Sequence, residues 1–355
     1  MKVLIAAGGT GGHVIPALTL ANAIRDKYPS SRIVFVGTQK GFEAKAVPSQ
    51  GFELEFLNLS GLKGAGWMAT LYRILLIPVA MVRCFFLLRS IKPDVVFGVG
   101  GYVSGPLLFL AGCSSVFTAI LEPNAVAGFS NRCLGPFVDR IYVAFDVARS
   151  SFPEKKVRCV GNLLREEIKK VLPPDFSQGL QTVLVFGGSQ GARSINQAVT
   201  RMLEKHSEFR LLHWIHQTGQ ADYSWVKEFY DKHSISAEVE PFFEKMDQVY
   251  QQSQMVIARS GSSVLEIAAV GRPSILIPYP YSADDHQQEN ARQMVRIGAA
   301  VMIDDKDLHE GKLDQVFSKL YKNIEQLKQM SGSARNHAQL HATQEIVRDF
   351  EESLS

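Results

Sequence analysis

VLIAAGGTGGH, Val3 to His13, and TVLVFGGSQGAR, Thr182 to Arg193, are two copies of one pattern. Each is a short apolar run, then glycines, then a helical pattern: Pro16-Ala-Leu-Thr-Leu-Ala after the first, Ile195-Asn-Gln-Ala-Val after the second. This is the strand–turn–helix opening of a nucleotide-binding α/β domain, and it occurs twice. Glycines belong there because the chain turns tightly and brings bare backbone N–H groups close to a ligand. Two such domains face to face would enclose a cleft between two Rossmann-like sheets. The expectation is a two-substrate transferase rather than a protein with one pocket.

Outward from these loops, apolar runs alternate with amphipathic stretches. Val3–Ala7, Ile33–Val36, Val95–Val99, Val116–Ile120 and Ile141–Ala144 lie in the first half. Thr182–Phe186, Leu211–Ile215, Met255–Ala258 and Ser274–Ile277 lie in the second. Their continuous apolarity predicts strands buried on both faces, as in parallel sheets with helical crossovers. The stretch from Gly161-Asn162 to Gln181, with Pro173-Pro174 and Ser177-Gln-Gly, reads as the join between domains. Ala334 to Ser355 reads as one polar amphipathic helix.

Composition sets limits. The 355 residues suit two domains, and 46% hydrophobic against 21% charged residues describes a chain able to bury large cores. A net charge of +3 with no basic run argues against nucleic acid as a partner. Cys84, Cys113, Cys133 and Cys159 show no metal-ligand spacing and read as buried free thiols of a reducing compartment. Only five apolar residues separate Met1-Lys2 from Gly8, too few for a signal peptide, so the expectation is a cytoplasmic protein.

Glycine loops invite a nicotinamide dinucleotide, but such a site wants an acid near the end of the second strand, about twenty residues past the loop. Here Ile33–Val36 runs into Gly37-Thr38-Gln39-Lys40, with no acid, and the first loop is GGTGG rather than GxGxxG. No GxxxxGK[ST] occurs, which excludes a P-loop.

The second half carries the denser constellation. Arg259-Ser-Gly-Ser-Ser263 follows an expected strand and opens the helix Val264-Leu-Glu-Ile-Ala-Ala, a helix start suited to a diphosphate. Glu266, in the first turn, could accept both hydroxyls of a ribose, or serve only as a favourable charge at a helix N-terminus. The serines could equally be caps. In Pro278-Tyr-Pro-Tyr-Ser-Ala-Asp-Asp-His-Gln-Gln-Glu-Asn290, the carboxamides of Gln287 and Asn290 suit sugar hydroxyls, while Asp284 or Asp285 could cap a helix. No second ligand cluster supports a metal at Asp284-Asp285-His286.

Trp67 to Ser90 is strongly apolar, yet Arg73 and Arg83 leave nine uncharged residues between them, short of the ~20 of a membrane span. The stretch suits a membrane interface, with Lys63 and the arginines at anionic headgroups and Trp67, Phe85, Phe86 and Leu87 among the lipid. A buried helix pair is the other reading.

The motifs GGTGGHVIPALTLA, GVGGYVSGP (Gly98–Pro106), NAVAG (Asn124–Gly128), GNLLR (Gly161–Arg165), GGSQGAR, RSGSSVLEIAAVG and DHQQENA resemble, in order and along nearly the whole chain, the MurG family. These are the UDP-N-acetylglucosamine transferases of glycosyltransferase family 28, which convert lipid I to lipid II in peptidoglycan synthesis. The resemblance implies an α/β GT-B fold of two Rossmann-like domains. Residues 1–160, with a terminal helix at about 336–355, would take the lipid acceptor; residues 161–335 would take the donor.

Carried over by position, the resemblance places the donor diphosphate near Ser189 and the turn Ser262, Ser263, Val264, Leu265. Ribose would lie on Glu266, uracil near Arg165 and the backbone of Phe243, and the acetamido sugar against His286, Gln287 and Asn290. The acceptor would meet Thr10, Gly11, Gly12, His13, Tyr102, Ser104 and Asn124. Where the family reads His-Glu-Gln-Asn this chain has Leu121-Glu-Pro-Asn124. That leaves His13 as the expected base, or as a phosphate contact, with Glu122 next. Arg259 and backbone N–H groups would offset the leaving-group charge, with no metal and no cofactor. Implied partners are UDP-N-acetylglucosamine, an undecaprenyl-linked muramyl-peptide and an anionic membrane surface. The implied place is peripheral, on the cytoplasmic face of the bacterial inner membrane. Alternatives are a diacylglycerol glycosyltransferase or a UDP-sugar epimerase.

Overall fold

A computed structural model describes residues 1–59 and 67–355, and the side chains of all of these but 67–75. The chain separates into two compact units: Met1–Arg165 with Gln339–Ser355, and Glu166–Ala338. The first holds β1 (Lys2–Ala6), β2 (Arg32–Gly37), β3 (Glu53–Phe56), β4 (Val95–Gly98), β5 (Phe117–Glu122), β6 (Arg140–Val143) and β7 (Val157–Cys159). They form one sheet in the order β3-β2-β1-β4-β5-β6-β7, every pair parallel. Strand β1 shows why the sequence runs are unbroken. Val3 and Ile5 enter one apolar layer with the helices Gly11–Lys27 and Ala342–Leu354; Leu4 and Ala6 enter the opposite layer with Cys84, Leu107 and Leu108. Side chains alternate, and both faces are covered.

The second unit holds β8 (Thr182–Phe186), β9 (His213–Gln217), β10 (Ala237–Glu240), β11 (Met255–Ala258), β12 (Ser274–Leu276) and β13 (Ala300–Met302). Their order, β10-β9-β8-β11-β12-β13, repeats the winding of the first sheet. The order reverses between β1 and β4 and again between β8 and β11. Open α/β sheets bind ligands at the carboxyl ends of strands at such points. Each glycine loop stands at one.

Several expectations are corrected. Residues 334–355 are not one helix: Ile324–His337 ends in the second unit, Ala338 takes extended angles, and Ala342–Leu354 packs on the first unit. There the buried carboxylate of Asp349 accepts from Arg140 Nε at 2.7 Å and Tyr142 Oη at 2.6 Å, with Arg158 Nη1 at 2.8 Å. Phe350 lies edge-on to Phe97 and Phe117. The unit boundaries fall after Arg165 and Ala338, not at 160 and 335; Leu163 packs into the first core. Of the cysteines only Cys84 is buried, and burial pushes its thiol up to about 12; Cys113 and Cys133 are exposed.

The helix Trp67–Ile91 is sided. Ala80, Cys84 and Ile91 face the core, and Leu87 packs on it, so Leu87 is not among the exposed residues as expected. Val79, Val82, Phe85 and Phe86 are exposed, at 62, 57, 49 and 65%. Arg83 pairs with Glu55 at 3.5 Å, and the Arg89 guanidinium lies 6.0 Å from the Phe85 ring centre. Lys63 and the side chains of Trp67 and Arg73 lie outside the described residues. No described helix is long and apolar enough to cross a membrane.

Candidate active site

In the first unit the loop after β1 runs into the helix Gly11–Lys27, with Thr10 as its extended N-cap. The Thr10 carbonyl accepts the N–H of His13 at 3.1 Å and of Val14 at 3.2 Å. Gly11 and Gly12 open the helix, where N–H groups lack partners one turn back. His13 is half-buried, and its Nδ1 lies 3.4 Å from the Gly8 carbonyl. The loop after β4 leans on this one: a Cβ built on Gly101 would stand 3.3 Å from the Gly8 carbonyl oxygen and 3.7 Å from His13 Nδ1. Tyr102, half-buried, follows in that loop. Ser104 is fully buried, its hydroxyl donating to the Gly100 carbonyl at 2.7 Å. It shapes the loop and offers no surface to an acceptor, contrary to the expectation.

The Glu122 carboxylate, at the end of β5, is also committed. Oε1 accepts from the N–H and Nδ2 of Asn124, at 3.1 and 3.2 Å. Oε2 accepts from the Gly128 N–H and Asn131 Nδ2, both at 2.9 Å. Burial pushes its pKa up while these donors pull it down. With four donors and 2% exposure it holds the turn 122–128, which removes it as the second candidate base. Leu121, in place of the family histidine, is fully buried in an apolar layer. Asn131 carries no motif signal, yet it stands between Glu122 and the β4 loop, 3.3 Å from a Cβ built on Gly100.

In the second unit Ser189 lies exposed in the loop after β8. Gln217, at the end of β9, ties that loop to its neighbour. Its Nε2 donates to the Gly188 carbonyl at 2.9 Å, and its Oε1 accepts the Phe243 N–H at 2.9 Å. Of the Phe243 backbone, expected near a uracil, the N–H is thus given to Gln217. Gly191 shows why the loop needs glycine: its φ is +74°, and a Cβ would come within 1.9 Å of the Thr218 carbonyl oxygen.

After β11, Arg259 is 8% exposed and surrounded by protein acceptors. Nη1 donates to the Ile277 and Pro278 carbonyls at 3.1 and 3.0 Å and pairs with Asp305 at 2.5 Å; Nη2 donates to Ser194 Oγ at 2.9 Å. It pins its loop to the helix Arg193–Lys205 and to Asp305. The turn behind it is tight: the N–H groups of Val264 and Leu265 return to Gly261 and Ser262. Glu266 is half-buried on the first turn of the helix Val264–Ala269. Asn290 is fully buried with Nδ2 on the Ser260 carbonyl at 3.1 Å, and Gln287 Oε1 accepts the Tyr279 N–H at 3.0 Å. Both brace the loop as well as border it. Asp284 and Asp285 both take left-handed angles, and Asp285 occupies the N-cap of the helix His286–Arg296 without a side-chain cap bond. His286 Nδ1 lies 2.6 Å from the Ala283 carbonyl. Arg165, expected beside the uracil, is the last residue of the first unit's main segment.

A buried polar network, unforeseen from sequence, underlies the second glycine loop. Asn196 Nδ2 donates to the Thr218 carbonyl at 3.0 Å and to Asp222 at 2.9 Å, which turns its Oδ1 toward His216 Nε2 at 3.0 Å. His216 Nε2 therefore carries the proton, and Nδ1 accepts from the Tyr230 hydroxyl at 3.1 Å. Burial lowers the His216 pKa to about 3, so the ring is neutral. Among the described residues no group of three or more His, Cys, Asp or Glu side chains is placed to hold a metal.

Comparison with known proteins agrees with this architecture. A transferase from Myxococcus xanthus is 41% identical over 98% of this chain and 91% of its own length. One from Thermodesulfovibrio yellowstonii is 37% identical over 100% and 99%. Both are named UDP-N-acetylglucosamine--N-acetylmuramyl-(pentapeptide) pyrophosphoryl-undecaprenol N-acetylglucosamine transferase. The crystal structure of Acinetobacter baumannii MurG superposes with a TM-score of 0.81 at 28% identity, over 99% of both chains. A UDP-GlcNAc 2-epimerase from Neisseria meningitidis, at TM-score 0.68 and 12% identity, shares the fold alone. The model of the glycosyltransferase family 28 N-terminal domain matches residues 3–143 and that of its C-terminal domain residues 182–346, and the chain belongs to glycosyltransferase family 28.

Proposed function

We propose that this glycosyltransferase moves N-acetylglucosamine from UDP-N-acetylglucosamine to the 4-hydroxyl of an undecaprenyl-linked muramyl-peptide, giving lipid II for peptidoglycan. The observation that carries the reading is 41% identity, over 98% of the chain, to a transferase named for that donor and acceptor. The donor belongs to the second unit, at the ends of β8 and β11. Its diphosphate lies at the Ser189 loop and the Gly261–Ser263 turn, its ribose on Glu266, its sugar beside His286 and Gln287. The acceptor belongs to the first unit, at the loops after β1 and β4.

The reaction is a single displacement. The acceptor hydroxyl oxygen bonds to the anomeric carbon as the bond to the diphosphate oxygen breaks, inverting that carbon and releasing UDP. His13 takes the hydroxyl proton. With Leu121 in the core and Glu122 saturated by donors, His13 is the motif residue left for that role. Backbone N–H groups at the helix starts meet the leaving diphosphate.

The acceptor's polyprenyl chain stays in the bilayer, so the first unit must work at its surface. The exposed stripe Val79, Val82, Phe85, Phe86, flanked by Arg83 and Arg89, supports peripheral attachment to anionic lipid on the cytoplasmic face of the inner membrane. Labelled sugar transfer from UDP-N-acetylglucosamine, with lipid I and diacylglycerol competing as acceptors, tests the assignment. Label in lipid II is the expected result; label only in diacylglycerol overturns it.

A further inference from the structure

The loop after β1 is held by a side chain from outside its own motif. Glu43 begins the short helix Glu43–Ser49 and is fully buried. Its Oε2 accepts the Gly9 N–H at 2.9 Å, and its Oε1 accepts both the N–H and the hydroxyl of Thr38, each at 2.8 Å. Three glycines make the space it fills. A Cβ on Gly41 would lie 2.0 Å from Oε2 and one on Gly37 2.5 Å from Cγ, while one on Gly8 would meet Val103 Cγ2 at 2.9 Å as well as Oε1 at 3.0 Å. None of the three has a positive φ, so at Gly37 and Gly41 room for the carboxylate explains the glycine better than backbone freedom. A buried carboxylate is costly unless well bonded, and glycines add unfolded-state entropy. So much local sequence spent on one side chain points to a demanding role.

The contacts lead to the reacting group. Gly9 is bonded to Glu43; Gly8, its neighbour, offers its carbonyl to His13 Nδ1, and both loops of the proposed acceptor site meet at Gly8. We propose that Glu43 is a positioning residue for transfer: it fixes the height and tilt of the Gly8–Gly12 loop, and through it the aim of His13. Its carboxylate also meets the end of β2 at Gly37 and Thr38, where a dinucleotide-binding sheet would present a carboxylate to a ribose, but it is turned inward with both oxygens engaged. The proposal rests on the reading of the first unit as the acceptor side.

The test uses the full chain with Glu43→Gln and Gly41→Ala. The first places an amide N–H₂ against the Gly9 or Thr38 donors. The second keeps the carboxylate but displaces it, and stands in if the first fails to fold. Two readouts are taken: KM for acceptor and for donor separately, and amide hydrogen exchange of both units without ligand. Expected are a loss of at least tenfold in kcat/KM for acceptor, donor KM within twofold of wild type, and at least tenfold faster exchange at Gly9–His13 with the second unit unchanged. Donor and acceptor parameters worsening together overturn the proposal, and so does wild-type exchange in that loop. If the wild-type chain glycosylates a different acceptor, the functional reading fails alone, and the exchange data still judge Glu43.

Discussion

The two glycine loops occupy the same place in the same winding, yet they are tied down by opposite kinds of group. After β1, a buried carboxylate takes an N–H, that of Gly9. After β8, a carboxamide takes a carbonyl, that of Gly188. The first tie commits a donor to an internal side chain, in a loop carrying a histidine. The second leaves the donors of its loop out of the bond that holds it, as the proposed diphosphate site requires.

The sharpest way to break this comparison is at His13. His13→Asn should lower kcat by about 10²–10⁴-fold, the usual reach of general base catalysis, with donor affinity unchanged. An effect confined to acceptor KM would make His13 a phosphate contact instead. Near-wild-type kinetics in both parameters would leave the first loop without a chemical role.

The donor side should answer separately. Glu266→Ala should weaken UDP binding by about 1–3 kcal/mol, the range for a hydrogen bond to a charged group, and leave acceptor KM alone. Calorimetry on the folded variant decides it. Unchanged UDP affinity would reduce Glu266 to a favourable charge at a helix start.

Acid should weaken the second unit through the network beneath its loop. The folded pKa of His216, about 3, lies below its ordinary 6.5, so protonation favours the unfolded chain. Its contribution is intact above pH 6.5 and is lost as pH falls toward 3, at about 1.4 kcal/mol per pH unit. Urea unfolding of wild type and His216→Gln between pH 6.5 and 4.5 should show a slope shallower by about one proton in the variant. Equal slopes would mean that the ring is not neutral and buried as its bonds to Asn196 and Tyr230 require.

How much of this could be read beforehand follows from burial. All nine apolar runs became strands, each lying inside its sheet. Among the described residues, the four strands without such a run, β3, β7, β10 and β13, are the four sheet edges. Edge strands are covered less completely, as in Ala237-Glu-Val-Glu240, whose one buried residue is Val239. Loop positions were equally legible, because glycines mark turns whatever holds them. The ties were not. Glu43, Gln217, Asn131 and Asp305 act across the chain, and a lone polar residue in a helix or at a strand end looks the same paired or solvated. Gly37 and Gly41 were the available signal for Glu43: glycines that no turn requires point to a side chain needing their space.

The smallest expected effect concerns where the two units differ on the outside. The first unit carries the exposed stripe of Val79, Val82, Phe85 and Phe86, at i, i+3, i+6 and i+7 of one helix, with Arg83 and Arg89 alongside. Each apolar side chain entering the headgroup region contributes by its buried area, on the order of 1 kcal/mol for such half-exposed groups. The arginines add a salt-sensitive attraction to anionic lipid. Val79, Val82 and Phe86 replaced together by serine should therefore lower binding to anionic vesicles by tenfold or more. Each single change should lower it only a few-fold. Leu87→Ser should instead lower stability, because Leu87 packs on the core. Vesicle flotation across a salt series separates the cases. Binding that ignores both salt and the triple substitution would move membrane attachment off this helix.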